Sequence, residues 1–221
     1  MQIPVFVINL NRSEGRRREV SNILNELGIE FTIIRAIDGQ NADPQILKRH
    51  YSPDASIKLH GRNLHDNEIA CSLSHLSIYK MMVRENIECA VILEDDVFLK
   101  DSFKSLILEA PNIIKREWDI INLYSNAKDV AFGEPIFGSH KFSKFKYDCN
   151  GTVAYIIKIT GAIKLIQHAY PIRYAADGLT GRFREFDVKM LGISPQVVGV
   201  RCVPSDIIIE GFWDTTKPIS D

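Results

Sequence analysis

Residues 91–97 read VILEDDV, an apolar run that ends on three acidic side chains. The apolar part has the composition of a strand that is buried inside a sheet. Like charges at the end of a buried strand repel each other unless a cation or a proton lies between them. The surroundings of Glu94, Asp95 and Asp96 therefore decide how this strand is placed and what it does.

The segments before VILEDDV alternate between strand and helix patterns. Residues 3–10 (IPVFVINL) predict a buried strand, residues 13–28 predict a helix that stops at a glycine, and residues 31–37 (FTIIRAI) predict a second strand. Strand, helix and strand within about 35 residues are typical of a βαβ unit with parallel strands. Residues 66–86 predict a helix that leads into the acidic strand, with acidic residues at its start.

The remaining segments complete an α/β pattern. Strands are predicted at 118–125 and 196–204, antiparallel strands between 131 and 157, further helices at 102–110, 160–170 and 178–191, and a short helix at 44–50 within a loop over 40–62. Together they predict one α/β domain over residues 1–221, with a mixed, mainly parallel sheet flanked by helices. Ligands of such sheets bind beyond the carboxyl ends of the strands, where VILEDDV places its acids.

The composition is that of a soluble globular protein, with 45 % apolar and 25 % charged residues among 221. A net charge of −1 provides no basic field for nucleic acid or an anionic membrane, and no apolar stretch approaches the roughly 18 residues of a membrane helix. The N-terminal basic residues follow the apolar run, which is the wrong order for a secretory signal. We expect a cytoplasmic protein with no nucleic-acid partner and at most peripheral membrane contact.

The cysteines lie far apart and form no C-x-x-C pair: Cys71, Cys89, Cys149 and Cys202. This spacing favours neither a zinc site nor a disulfide framework, and it suits a reduced compartment. Cys71 and Cys89 lie in apolar patterns, where a cysteine usually behaves as a small buried hydrophobe.

The three acids have a chemical and a structural interpretation. Strand alternation sends Glu94 and Asp96 to one side and Asp95 to the other. Two carboxylates on one side favour a hard divalent cation, Mg²⁺ or Mn²⁺, which could bind the phosphates of a nucleotide or nucleotide-sugar. Alternatively, the acids cap the helix that begins near Ser102, or they mark a solvated strand end.

Three blocks of sequence occur in a specific order. They are VFVINLNRSEGRRREV (5–20) with FTIIRAIDG (31–39), NEIACSLSHLSIYKMM (67–82) with AVILEDDVF (90–98), and NGTVAYIIKITGAIKLI (150–166) with AAD (175–177). Together they resemble glycosyltransferase family 25, the lipooligosaccharide and capsule galactosyl- and glucosyltransferases related to collagen galactosyltransferases. The resemblance implies a GT-A type nucleotide-diphospho-sugar transferase in which E-D-D stands for the metal-binding D-x-D motif.

The resemblance also implies a metal and donor site. Asp96 is the expected ligand of Mn²⁺ or Mg²⁺, Glu94 supports it or touches the ribose, and the role of Asp95 stays open. The loop after the first strand would grip the UDP-sugar, and Arg12 and Arg16, four residues apart, would face the same way. A solvated helix face for Arg16 and a structural role for His75 are the alternatives. The expected donor-binding residues are Asn9, Leu10, Asn11, Arg12, Arg16, Ser74, His75, Glu94 and Asp95.

The acceptor side is expected in the second half of the chain, with donor and metal binding at 1–125 and acceptor binding at 126–221. Gly151 and Thr152 are the expected acceptor-binding residues. Asp177 is the expected base that takes the proton of the attacking hydroxyl, and its alternative role is to cap the helix near Leu179. Asp148, Glu185 and Asp187 are reserve bases, and Asp206, Asp214 or water would complete the metal shell.

The implied function is transfer of a hexose, galactose first and glucose second, from a UDP-sugar to lipooligosaccharide or another surface glycan, with inversion. A metal-dependent nucleotidyltransferase or phosphohydrolase could use the same carboxylates. A carbohydrate-binding relative without catalysis is the third interpretation. The acceptor itself depends on loops at 40–65 and 125–147, which the sequence does not specify.

Overall fold

The computed structural model describes residues 3–127, 130–149 and 151–201. Its helices are α1 (Glu14–Glu26), α2 (Pro44–His50), α3 (Pro53–His60), α4 (Asp66–Arg84), α5 (Ser102–Ile114), α6 (Ile159–Ala169) and α7 (Ala176–Gly181). Its strands are β1 (Val5–Asn9), β2 (Thr32–Arg35), β3 (Cys89–Glu94), β4 (Val97–Leu99), β5 (Ile120–Asn122), β6 (Val130–Phe137), β7 (His140–Phe145), β8 (Ala154–Lys158), β9 (Met190–Ser194) and β10 (Val198–Val200).

Eight strands form one mixed sheet in the order β2-β1-β3-β8-β5-β9-β7-β6. β1 pairs in parallel with β2 and β3, and β5 pairs in parallel with β9, while β8 and β7 pair antiparallel with their neighbours. β7 and β8 therefore run against the other six strands. The predicted α/β class with a mixed, mainly parallel sheet flanked by helices is confirmed.

Alternating residues of the central strands bury two apolar layers. On one face of the sheet, Phe6 and Ile8 of β1 and Ile92 of β3 pack with residues of α4 and α6. On the other face, Val7 and Leu93 pack with residues of α1 and α5. Because both faces are covered, β1 and β3 need apolar side chains at successive positions, which explains the continuous runs in the sequence.

β1 and β3 end at the same edge of the sheet. Ile8 lies opposite Glu94 in the parallel register, so Asn9 and the acidic residues 94–96 are neighbours. β4 begins directly after those acids and pairs antiparallel with β10 in a second, two-stranded sheet, with Val200 opposite Val97. This small sheet carries the C-terminal end of the described chain to the acids.

The helix predicted over 178–191 is wrong. α7 ends at Gly181, Asp187 has a φ of 51°, and β9 begins at Met190. β9 pairs with β5 on one side and β7 on the other, and these two pairings outweigh the local helical pattern.

The segment 40–62 contains a second helix, α3, which the prediction of one short helix missed. Pro53 occupies the first turn of α3, where its missing N–H costs nothing, and Gly61 ends the helix at a φ of 70°. The strands predicted at 118–125 and 196–204 are shorter in the structure, as β5 and β10, and 202–204 lie outside the described residues.

Within the described ranges, no helix combines the length and apolar character needed to cross a membrane. The division of the chain into a donor half at 1–125 and an acceptor half at 126–221 stays a prediction.

Candidate active site

The acidic residues line a pocket at the carboxyl ends of β1 and β3. Glu94 is the last residue of β3, and Asp95 and Asp96 form the turn that leads into β4. The pocket is walled by β1 with its following loop, by the segment after β2, by the start of α1 and by α4. Its lining residues are Ile8, Leu10, Arg16, Ala36, Ile37, Gly39, Asn67, Cys71, Ser74, His75, Glu94, Asp95 and Asp96.

Asp95 faces the α1 side of the sheet. Its Oδ2 accepts a hydrogen bond from Asn9 Nδ2 at 2.6 Å, and its Oδ1 lies 3.4 Å from an Arg16 guanidinium nitrogen. Burial raises the pKa of Asp95, and the charge of Arg16 and the bond from Asn9 reduce that rise. Both carboxylate oxygens thus have protein partners, which identifies Asp95 as the member of the triplet that anchors Asn9 and Arg16.

Glu94 faces the opposite side, toward α4, so the predicted separation of Glu94 from Asp95 is confirmed. Its Oε1 lies 3.4 Å from His75 Nε2. The Glu94 N–H donates a hydrogen bond to the Val153 carbonyl oxygen at 2.8 Å, which brings the preceding residue, Thr152, close to the carboxylate. Burial favours the neutral form of Glu94, but the His75 imidazole, Thr152 and the charge of Arg16 outweigh burial and lower its pKa. Glu94 is therefore held as a carboxylate.

Among the three acids, Asp96 has the poorest set of polar partners in the described part of the chain. Burial, together with the charges of Glu94 and Asp95, raises its pKa to about 6. Its Oδ1 is buried without a hydrogen-bond partner in the described part of the chain. A carboxylate in this position gains from a nearby cation, because the cation would satisfy the oxygen and offset the repulsion from its neighbours.

The residues at this corner fit a hard divalent cation. Asp96 Oδ1 and Glu94 Oε1 are both buried, and neither atom makes an aligned hydrogen bond to any described residue. Carboxylate oxygens are the ligands that Mg²⁺ and Mn²⁺ prefer. The donor set therefore agrees with the metal-binding role that the sequence predicts for Glu94 and Asp96.

Arg12 and Arg16 do not share a helical face, because α1 begins at Glu14 and Arg12 lies in the turn before it. Arg16 lines the acidic pocket, whereas the Arg12 Nε lies 3.1 Å from Asp38 Oδ2. Leu10 also lines the acidic pocket. Asn11 and Arg12 line a neighbouring depression instead, together with Arg35, Ala36, Ile37, Asp38, Asn41 and Ala42.

Ser74 and His75 lie on the buried face of α4 and line the acidic pocket. The Ser74 hydroxyl accepts a hydrogen bond from the Ile37 N–H at 2.9 Å, which fixes the segment that follows β2. His75 Nδ1 lies 2.8 Å from the hydroxyl of Tyr155 in β8. Both residues thus have structural partners as well as a place in the pocket wall.

The residues expected on the acceptor side are not among those that line the acidic pocket. Gly151 has a φ of 129°, and a Cβ at this position would lie 3.1 Å from the Tyr124 carbonyl oxygen, so glycine is required there. Thr152 helps to lower the pKa of Glu94, an effect that the sequence does not reveal. Asp177 lies in the first turn of α7 and accepts a hydrogen bond from the Gly178 N–H at 2.7 Å.

The structure does not place Asp177 at the cap position of α7, and its role as the base stays a prediction. Ala175, not Asp177, is the residue that precedes α7. Burial raises the pKa of Asp177, and the negative charges of Glu94 and Glu68 add to the rise.

The reserve bases have other environments. Asp148 and Asp187 are exposed, and Glu185 accepts a hydrogen bond from the Tyr174 hydroxyl at 2.7 Å. Asp206 and Asp214, the expected additional metal ligands, lie outside the described residues.

Arg201 is a site residue that sequence reasoning missed. Its backbone N–H donates to the Asp96 carbonyl oxygen at 2.9 Å, and its guanidinium contacts the Asp95 carbonyl oxygen and Glu19. The β4–β10 pairing brings Arg201 to these partners, 106 positions from Asp95 and 182 from Glu19, so no local pattern predicts the contacts. Gly39 was also overlooked: a Cβ there would lie 2.6 Å from the Asn67 backbone nitrogen at the start of α4.

Comparison with known proteins identifies relatives over most of the chain. The model of glycosyltransferase family 25 (LPS biosynthesis protein) matches residues 2–180. The chain is 32 % identical to procollagen galactosyltransferase 1-B of Xenopus laevis, over 98 % of this chain and 40 % of that protein. It is also 32 % identical to the inactive glycosyltransferase 25 family member 3 of Mus musculus, over 73 % of this chain and 28 % of that protein.

A solved glycosyltransferase involved in the glycosylation of the major capsid of PBCV-1 aligns with 10 % identity and a TM-score of 0.39, over 76 % of this chain and 66 % of that one. This likeness is too low to add to the fold assignment.

The fold and the pocket define an α/β domain with a carboxylate-lined ligand site beyond its parallel strands, the usual place for nucleotide ligands in such sheets. The chain belongs to glycosyltransferase family 25, which confirms the resemblance carried by the three sequence blocks. It spans two fifths or less of the length of the two curated relatives named above.

Proposed function

We propose that this chain is a metal-dependent hexosyltransferase that moves galactose, or alternatively glucose, from a UDP-sugar to a glycan. The observation that carries the proposal is the pair of buried oxygens, Glu94 Oε1 and Asp96 Oδ1, that lack aligned partners among the described residues and belong to pocket-lining acids. The similarity to the Xenopus laevis protein, which is named a galactosyltransferase, supports galactose as the first sugar to test.

Glu94 and Asp96 would hold Mn²⁺ or Mg²⁺. A bound cation of this kind neutralises the charge that develops on a leaving diphosphate. Arg16 lines the same pocket and is anchored by Asp95, so its guanidinium is positioned close to where phosphate oxygens would bind. Asn9 and Asp95 would then orient the groups that bind the donor, and Leu10 would form part of the wall of the donor pocket.

The reaction requires one proton acceptor from the protein. A bond forms between an acceptor hydroxyl oxygen and the anomeric carbon, the bond from that carbon to the diphosphate breaks, and UDP leaves. Asp177 takes the hydroxyl proton, because its raised pKa makes it a stronger base than an exposed aspartate. A single displacement of this kind inverts the configuration at the anomeric carbon.

The acceptor is the least constrained partner. Lipooligosaccharide or another surface glycan is supported by the description of the family, LPS biosynthesis protein. Gly151 and Thr152 directly precede Val153, whose carbonyl oxygen accepts a hydrogen bond from the Glu94 N–H at 2.8 Å, and an acceptor could approach the donor from this side. We further propose a cytoplasmic location and at most peripheral contact with a membrane, through the acceptor.

Calorimetry with UDP, with and without Mn²⁺, tests the proposal, followed by a panel of UDP-hexoses with detection of UDP release. The expected result is UDP binding that requires metal and is lost in Asp96→Asn but kept in Asp148→Asn, an exposed control. Release of pyrophosphate or phosphate would favour a nucleotidyltransferase or phosphohydrolase. Metal-independent UDP binding, or none, would contradict the proposal and favour a relative without catalysis.

A further inference from the structure

The pocket contains a second set of potential ligands, of which the proposed function uses only Glu94 as a metal ligand. The ligand atoms of Cys71, His75 and Glu94 all lie within 4.8 Å of one another. Cys71 and His75 are one turn apart on α4, and Glu94 faces them from the end of β3. The absence of C-x-x-C pairs in the sequence is uninformative here, because the thiol has a histidine and a carboxylate as its neighbours.

His75 supplies the independent sign that this cluster binds a ligand. Its side chain is 1 % exposed, and its Nε2 has no aligned hydrogen-bond partner within the described chain, although Glu94 Oε1 lies at 3.4 Å. A buried imidazole nitrogen normally has a partner, since leaving it unsatisfied costs about 1–3 kcal/mol. The unpartnered Nε2 points toward the carboxylate and the pocket.

The other nitrogen of His75 has the partner that a metal-bound histidine needs. Nδ1 lies 2.8 Å from the Tyr155 hydroxyl, which lies 2.7 Å from the Tyr79 hydroxyl. All three side chains are essentially fully buried. If Nδ1 donates to Tyr155 and Tyr155 donates to Tyr79, the lone pair of Nε2 is directed at the cluster, as it is in histidines whose second nitrogen is fixed by an outer partner.

We infer that Cys71, His75 and Glu94 form a binding site for a thiophilic divalent cation of the zinc type. Sulfur, imidazole nitrogen and one carboxylate are ligands that zinc accepts, whereas Mg²⁺ and Mn²⁺ prefer oxygen. Three protein ligands leave a fourth position open toward the pocket. This site is separate in chemistry from the Glu94–Asp96 pair, although both use Glu94.

Sharing Glu94 has a consequence for regulation. A zinc-type ion at Cys71 and His75 would withdraw Glu94 from the hard cation, so it would inhibit transfer in competition with Mn²⁺. This consequence rests on the proposed function, whereas binding of the ion to the three residues does not.

Titration of the full chain with Co²⁺ tests the site, because a thiolate bound to Co²⁺ gives a charge-transfer band in the near ultraviolet. The expected result is a band that saturates at one equivalent, is lost in Cys71→Ser and is kept in Cys89→Ser, a buried cysteine in β3. Absence of the band in the folded wild type, or its survival in Cys71→Ser, would overturn the inference.

A second pair of variants probes the outer partner. Tyr155→Phe should raise the Co²⁺ dissociation constant about 10-fold, the usual effect of losing such a partner. Tyr174→Phe, in which the lost hydroxyl contacts Glu185 instead, should leave the constant unchanged. Equal constants in both variants would contradict the role of Tyr155. If the wild type gives the cobalt band but shows no Mn²⁺-dependent UDP binding, the result would count against the proposed function and not against the cluster site.

Discussion

Replacing Asp96 with asparagine removes a charge that burial and two neighbouring carboxylates disfavour. The pKa of Asp96 rises from 3.8 to about 6 in the folded protein. At about 1.4 kcal/mol per pKa unit, the charged form costs up to about 3 kcal/mol of folding free energy at neutral pH. In the absence of metal at pH 7.5, Asp96→Asn should therefore be the more stable protein, by roughly 6 to 12 °C in melting temperature.

The pH dependence of this difference follows from the direction of the shift. The folded protein holds the Asp96 proton more tightly than the unfolded chain does, so this stability is complete below about pH 4 and is lost as the pH rises through about 6. The wild type and Asp96→Asn should thus converge near pH 4 and diverge toward pH 7. Titrating groups that do not interact with Asp96 are common to both proteins and cancel in the comparison.

Thermal melts in EDTA from pH 4 to 8, repeated with Mn²⁺, provide the assay. Mn²⁺ should stabilise the wild type, by about 2.7 kcal/mol at a concentration 100 times the dissociation constant, and should leave Asp96→Asn unchanged. Asp148→Asn, at an exposed aspartate, is the matched control and should follow the wild type. An Asp96→Asn protein that melts below the wild type in EDTA at pH 7.5 would refute the reasoning, as would a difference that does not shrink at low pH.

Further outcomes follow from the same site. Asp177→Asn should lower kcat by about 10²-fold or more with little change in donor KM, as measured by UDP release. Because the pKa of Asp177 is raised, the activity of the wild type should increase with pH at a higher pH than an ordinary aspartate would give. Arg16→Gln should raise donor KM about 10-fold or more, because a charge-assisted phosphate contact is lost; an unchanged KM would contradict its role. Gly151→Ala should lower the free energy of unfolding in urea by about 1–3 kcal/mol, because Gly151 has a φ of 129°. Gly15→Ala should instead stabilise the protein, because Gly15 lies inside α1 with open space around it. Equal effects of the two substitutions would contradict the strain argument.

Local patterns determined the elements that build the core. β1 and β3 are buried on both faces, so their apolar runs were readable without any knowledge of their neighbours. The helical pattern over 178–191 was equally clear and misleading, because the pairing of β9 with β5 and β7 decided that segment.

The sequence by itself determined the α/β class, the family and the position of the acidic residues at a strand end, because strand periodicity and local order are properties of neighbouring residues. The tertiary structure alone decided which acid does what. It turned Asp95 to Asn9 and Arg16, placed Glu94 against His75, and left Asp96 Oδ1 without a hydrogen-bond partner among the described residues. The contacts that set these roles join residues of different elements, 19 positions apart for His75 and Glu94 and 86 for Asn9 and Asp95, and no local pattern encodes such contacts.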